Sequence, residues 1–197
     1  MKFEAFNYFN ESFLSDSSIA DKTEYRKFVN HLIRNGRCSV KISTVLLYRG
    51  SIHGWKYADF HSRCDNMGPT LTLFRVKETD LRCGGYTTAP WEALSSGVYK
   101  PCTSSFLFSL EKNLHLPVKD STKAAYSTNN WGPTFGDNCD LAAYSEPFNS
   151  KNCRSFTEKS AYQVPKDENG NSVLTGCKDS FECAEIECFS VAVQLIV

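Results

Sequence analysis

The C-terminal run Phe181–Val197 constrains the fold more than any other part of the chain. Phe189, Val191, Val193, Leu195 and Val197 occupy alternate positions. A period of two puts them on one face of an extended strand, because successive side chains leave a strand on opposite sides. Such a strand needs partners for its backbone groups and an apolar layer over its face. Thr70–Val76 has the same alternation, threonine and arginine against leucine, phenylalanine and valine, and reads as a half-buried strand. Ser43–Tyr48, Leu81–Thr88, Ser105–Leu110, Ala124–Ser127 and Cys139–Tyr144 are further short β-prone runs.

Two segments carry a helical period instead. After Ser17 and Ser18, which offer cap hydroxyls, Tyr25, Phe28, Val29, Leu32 and Ile33 share one face, and Asn35-Gly36 closes a helix of about Asp21 to Arg34. Tyr57, Phe60 and Cys64 do the same over Tyr57–Asn66, stopped by Gly68-Pro69. Ala89–Thr103, with Pro90, Gly97 and Pro101, reads as a loop, and 167–171 as a polar turn. The expected fold is therefore α+β: two antiparallel sheets packed as a sandwich and flanked by a few short helices. Residues 1–19 read as a lead-in and 20–197 as one domain, a size that buries a substantial core.

Composition narrows the function. Lys plus Arg equals Asp plus Glu at 22 each, so no net field holds the chain to nucleic acid or an anionic membrane. No stretch reaches transmembrane length, so no membrane insertion is expected, and the start lacks the basic and apolar regions of a secretory signal. Nine cysteines, an odd number without a C-x-x-C pair, fit buried thiols in a reducing cytoplasm. Phosphate loops, zinc-protease helices and the glycine-flanked nucleophile serine are absent, so no cofactor, metal or catalytic set is expected.

Several side chains merit a chemical reading beside a plain one. His61 lies three residues before Cys64 and four before Asp65 on one helix, a spacing that could activate a thiol or merely pack a buried cysteine beside a histidine. Glu185 and Glu187 would share a strand face and could share a proton or a metal, or simply pair with a lysine or arginine. Trp55, Trp91 and Trp131 adjoin glycines or prolines, as interface anchors or as corners of the core. Of these aromatic segments, Trp55 to Asp65, with His61, and the loop around Trp91 form the candidate contact surface.

Strings along the whole chain combine into a family resemblance. Leu46-Leu47-Tyr48-Arg49 is followed by Asp59-Phe60-His61-Ser62-Arg63-Cys64-Asp65-Asn66, then Gly68-Pro69-Thr70-Leu71, Gly84-Gly85-Tyr86-Thr87 and Pro90-Trp91. Ser105–Leu110, Gly132-Pro133-Thr134-Phe135-Gly136, Asp140-Leu141 and Glu185-Ile186-Glu187-Cys188-Phe189 complete the order. Over roughly residues 20 to 191 the chain resembles a TLDc domain. The resemblance implies a β-sandwich flanked by helices and a link to oxidative-stress resistance. It also implies a partner, the peripheral subunits of the vacuolar proton-pumping ATPase, with the protein placed in the cytoplasm and brought to organelle membranes through that partner. It brings no catalytic residue set. Two other readings stand beside it: a redox-active thiol protein or hydrolase-like enzyme, and a structural subunit of a larger assembly.

Overall fold

The computed structural model describes residues 13–21, 24, 40–137, 139–144, 151–156, 160–165 and 173–195. In chain order its strands are β1 (Val40–Arg49), β2 (Thr70–Val76), β3 (Arg82–Thr87), β4 (Val98–Lys100), β5 (Phe106–Ser109) and β6 (Leu114–Pro117). They continue with β7 (Ala125–Ser127), β8 (Trp131–Phe135), β9 (Leu141–Tyr144), β10 (Cys153–Arg154), β11 (Ser180–Phe181) and β12 (Cys183–Leu195). Two short helices, α1 (Gly50–His53) and α2 (Tyr57–Cys64), separate β1 from β2. The helix expected from about Asp21 to Arg34 and the turn at 167–171 fall outside the described residues.

The strands form two six-stranded sheets, in the orders β1-β12-β2-β3-β5-β6 and β11-β10-β9-β8-β7-β4. Every strand pair in them is antiparallel, and the two sheets give the expected sandwich. The C-terminal strand β12 lies inside the first sheet, with β1 on one side (Leu46 opposite Phe189) and β2 on the other (Leu71 opposite Phe189). Its strict alternation fits this place, since it must present a defined side chain to each face in turn.

One expectation changes. β2 is not half-buried: only Arg75 of its seven residues is exposed. Phe74 and Val76 join the core between the sheets, with Leu107, Phe135, Leu141 and Phe181. Leu71 and Leu73 point to the opposite face, into a second core with Ile42, Phe106, Phe108 and Phe189. That second core is roofed by Phe13, Leu14, Ile19 and Ala20, so most of the stretch read as a lead-in from Phe13 onward is packed into the fold.

Glu187 on β12 explains how this roof is held. Its side chain is fully buried against Arg49, whose Nε donates to Oε1 at 2.7 Å. The Ser17 hydroxyl donates to Oε2 at 2.5 Å, while the Ser18 N–H and hydroxyl donate to Oε1 at 2.8 and 2.9 Å. Arg49 also donates to the Asp16 carbonyl. A charge taken out of water must find its donors inside the protein, and here they come from β1 and from the segment that covers the sheet.

The remaining differences are local. α2 ends at Cys64 rather than Asn66, because Asp65 is already extended (φ −63°, ψ 132°). The expected loop at Ala89–Thr103 contains the edge strand β4, and the Gly-Pro string at 132–133 lies within β8, which is irregular between Trp131 and Thr134. The paired glycines of β3 make no bulge: the register to β2 is unbroken from Thr70–Thr87 to Arg75–Arg82. They answer instead to close approach, since a Cβ on Gly85 would stand 2.7 Å from the Phe135 ring of the facing sheet.

Truncating Glu187 leaves Arg49 without its buried partner and the 13–20 segment without its anchor. Glu187→Ala should cost about 3–5 kcal/mol of stability in urea unfolding. Limited proteolysis should then cut first within 13–20, whereas a loss below about 1 kcal/mol would mean that apolar contacts alone hold the roof.

Candidate functional site

The helix motif turns out to be a junction. Asp59 accepts from the Lys56 N–H at 3.0 Å and starts α2. Phe60 is buried edge-on against Tyr48 (5.6 Å) and Trp91 (5.9 Å), and Trp91 continues the chain of rings to Phe135 at 5.3 Å. His61 is also buried, with Nδ1 2.6 Å from Asp65 Oδ1 and Nε2 2.8 Å from the Trp131 carbonyl. The second Asp65 oxygen accepts from the Ala93 N–H at 2.8 Å, and the Trp91 indole donates to Thr70 at 2.9 Å. His61 thus meets Asp65, as the spacing allows, and not Cys64.

These placements revise the candidate contact surface. Trp91 is 1% exposed and His61 7% exposed, so neither can meet a partner while the domain is folded. Trp55 is half-buried, and its ring fills the space where a Cβ on Gly50 would fall, 2.5 Å away. The other motif positions likewise serve the fold. Gly68 (φ +75°) turns the chain into β2 and the Pro69 carbonyl accepts from Val191 at 2.8 Å. Tyr86 stacks on Phe106 at 5.2 Å. Gly132 and Pro133 are buried in β8. Gly136 (φ +81°) leaves room for Asp140, whose Oδ2 would lie 1.7 Å from any Cβ there.

The possible chemistry resolves in the same direction. Glu185 accepts from the N–H of Ser51 (3.2 Å) and from its hydroxyl, while Glu187 is held by arginine and serine, so the two carboxylates share no proton and frame no common ion. Both nitrogens of His61 already face oxygens, leaving none for a nucleophile. Among the described residues no three His, Cys, Asp or Glu side chains are grouped to hold a metal.

Most thiols lie deep. Burial, reinforced by contact with Cys188, pushes the Cys64 thiol well up, which opposes a reactive thiolate. Cys153 and Cys183 touch at 3.3 Å, both fully buried. Cys102 differs. Burial would raise its pKa, but donors from Ser104 and from the Thr88 hydroxyl and backbone outweigh this and bring it down to about 7.

What the sequence reading missed is a groove of about 910 Å³ on the second sheet. Tyr99 from β4, Tyr126 from β7, Trp131 from β8 and Tyr144 from β9 line it, with Cys139, Arg154 and Phe156. Neighbouring strands bring together rings far apart in the chain: Tyr99 to Tyr126 at 5.1 Å, Tyr126 to Trp131 at 5.6 Å and Trp131 to Tyr144 at 4.8 Å. The available signal was Trp131 itself, whose neighbours become visible only once strand order is known.

A sandwich of two six-stranded antiparallel sheets, with its helix motif buried as a junction, defines the class as a β-rich domain. The chain belongs to the TLDc family: the TLDc domain model matches residues 13–192, a span that begins at the buried Phe13. No curated protein matches the chain significantly. No helix among the described residues is long and apolar enough to cross a membrane.

Two measurements follow from the titratable groups. In the folded protein iodoacetamide should label the partly exposed Cys177 and the hydrogen-bonded Cys102 ahead of the other described cysteines, with Cys64, Cys83, Cys153, Cys183 and Cys188 reacting only on unfolding; comparable labelling of Cys64 would contradict the burial argument. Asp140 supplies the other. Burial raises its carboxyl to about 7, against the pull of the Ala161 N–H and the Ser160 hydroxyl, and its Oδ1 has no partner among the described residues. Because the folded pKa exceeds the unfolded value of about 3.9, the fold favours the protonated form. This group therefore stabilises the fold least above about pH 7 and progressively more as pH falls towards 4. Asp140→Asn should flatten that slope, with a gain on the order of 3–4 kcal/mol on the alkaline side. Urea unfolding between about pH 5 and pH 8 would show parallel slopes for both proteins if Asp140 did not titrate in this range.

Proposed function

We propose that this domain is a non-catalytic protein-interaction module that binds and regulates the vacuolar proton-pumping ATPase from the cytoplasmic side and supports resistance to oxidative stress. The observation that carries this reading is the family match over nearly the whole chain, taken with the way the motif residues are used. His61, Asp65, Trp91 and Glu187 are all engaged in holding elements together. That leaves surfaces, not a reacting group, to supply function.

A redox role is the second reading, favoured by the Thr88 and Ser104 hydroxyls set 3.2 and 3.5 Å from the Cys102 Sγ, where they would stabilise a thiolate. It predicts oxidation of that thiol by mild peroxide ahead of the others. A structural place in a larger assembly is the third, and oligomeric state bears on it directly.

Native affinity purification of the tagged chain from a eukaryotic lysate tests the leading reading. Peripheral pump subunits should be recovered at low salt and reduced, though still present, at high salt if polar rim contacts contribute. Their absence under both conditions would end the pump assignment.

A further inference from the structure

We propose that the aromatic groove on the second sheet is a docking site for a proline-rich peptide carrying an acidic residue. This rests on the reading of the domain as an interaction module and names the surface and the partner chemistry.

The spacing of the rings is the first argument. Tyr99, Tyr126, Trp131 and Tyr144 form a continuous row with successive centroids 4.8–5.6 Å apart. A polyproline II chain advances about 6 Å over two residues, so successive X-Pro units match successive gaps between rings. The planes of neighbouring rings are inclined by 45–62°. These gaps are wedges suited to a puckered pyrrolidine ring. A flat nucleobase would seek parallel faces.

Hydrogen-bonding capacity is the second. The Trp131 indole N–H and the Tyr126 hydroxyl have no partner among the described residues. The Tyr126 hydroxyl lies against Gly97 in the wall of the groove, where a Cβ would come within 1.7 Å of it. A proline-rich segment offers carbonyl acceptors and lacks N–H donors at its prolines, so it complements a surface that presents donors. Sugar hydroxyls would also need strong acceptors, and among the described residues no carboxylate or amide side chain lines the groove.

Charge is the third. Among the described residues Arg154 is the one charged residue in the lining, and there it is exposed and has no ion pair. Asp137, the nearby carboxylate, is occupied by Lys123 at 2.5 Å and by the Tyr99 hydroxyl at 2.6 Å. The free charge at the groove is positive and selects a carboxylate on the peptide.

The full chain should be titrated, by fluorescence anisotropy, into two labelled ten-residue polyproline peptides, one ending in two aspartates and one in two arginines. The acidic peptide should bind the tighter. Trp131→Ala should weaken it by about thirtyfold, as for a central aromatic anchor. Trp131 is partly buried, so Arg154→Glu, at an exposed position, provides the independent check: it should weaken the acidic peptide about tenfold and strengthen the basic one. Failure of both peptides to bind, binding indifferent to both variants, or displacement by a cello-oligosaccharide or by ATP would overturn the proposal. Pump recovery with the same variants keeps the two readings apart. Peptide binding by a protein that recovers no pump subunits refutes only the pump, and pump recovery by a protein that binds neither peptide refutes only the groove.

Discussion

A carboxylate with no access to water sits on the strand that joins both halves of the first sheet, and much of the architecture can be understood as the means of keeping it there. Glu187 faces away from the space between the sheets, on the side that would be open to solvent in a simple sandwich. An uncompensated charge in that place would cost several kcal/mol. Arg49 from the adjacent strand and three donors from Ser17 and Ser18 remove that penalty, and the three serine contacts are lost together if the N-terminal segment leaves. The electrostatic requirement of one residue thus fixes the path of a segment some 170 positions away.

That segment in turn explains why the first sheet is buried on both faces. With Phe13, Leu14 and Ile19 over Leu71, Leu73 and Phe189, and the second sheet over Phe74 and Val76, the middle strands have almost no solvated side. Cysteine suits such positions, being small and apolar in its protonated form. Cys83, Cys183 and Cys188 all lie here with no exposure, and for Cys83 and Cys183 the raised thiol pKa follows from the same lack of water that raises the cost of an unpaired charge.

The strand signals in the sequence were legible where apolar residues kept a regular period, as in β2 and β12, and where β-branched runs were short, as in β1. They failed where the period was broken for a local reason. Val98–Lys100 is too short to show a period between Gly97 and Pro101, and Trp131–Phe135 holds a glycine and a proline at the point where its pairing is irregular. Of the motif residues, His61 and Trp91 read as candidate contact surface and lie buried instead. Composition cannot distinguish a tryptophan that anchors an interface from one that fills a core, and Trp91 proved to be the second kind. The groove was illegible for a different reason. Its four rings come from four strands, and only the order β9-β8-β7-β4 makes them neighbours.

The buried motif and the exposed groove are not independent. His61 reaches from α2 to the Trp131 carbonyl, at the first residue of β8, while the side chain of that same residue stands in the middle of the aromatic row. Asp65 orients the imidazole and at the same time holds the loop after Trp91. A histidine with no access to a ligand therefore sets the backbone from which the central ring of the groove projects, and the irregular pairing between Trp131 and Thr134 leaves that backbone with less support from the sheet itself. A side chain can be essential to recognition without approaching the partner, because a shift of about an ångström in the anchoring backbone is enough to misplace an aromatic contact. In this domain the residues that look most like an active site act one layer beneath the surface, as the frame on which the contact surface is built.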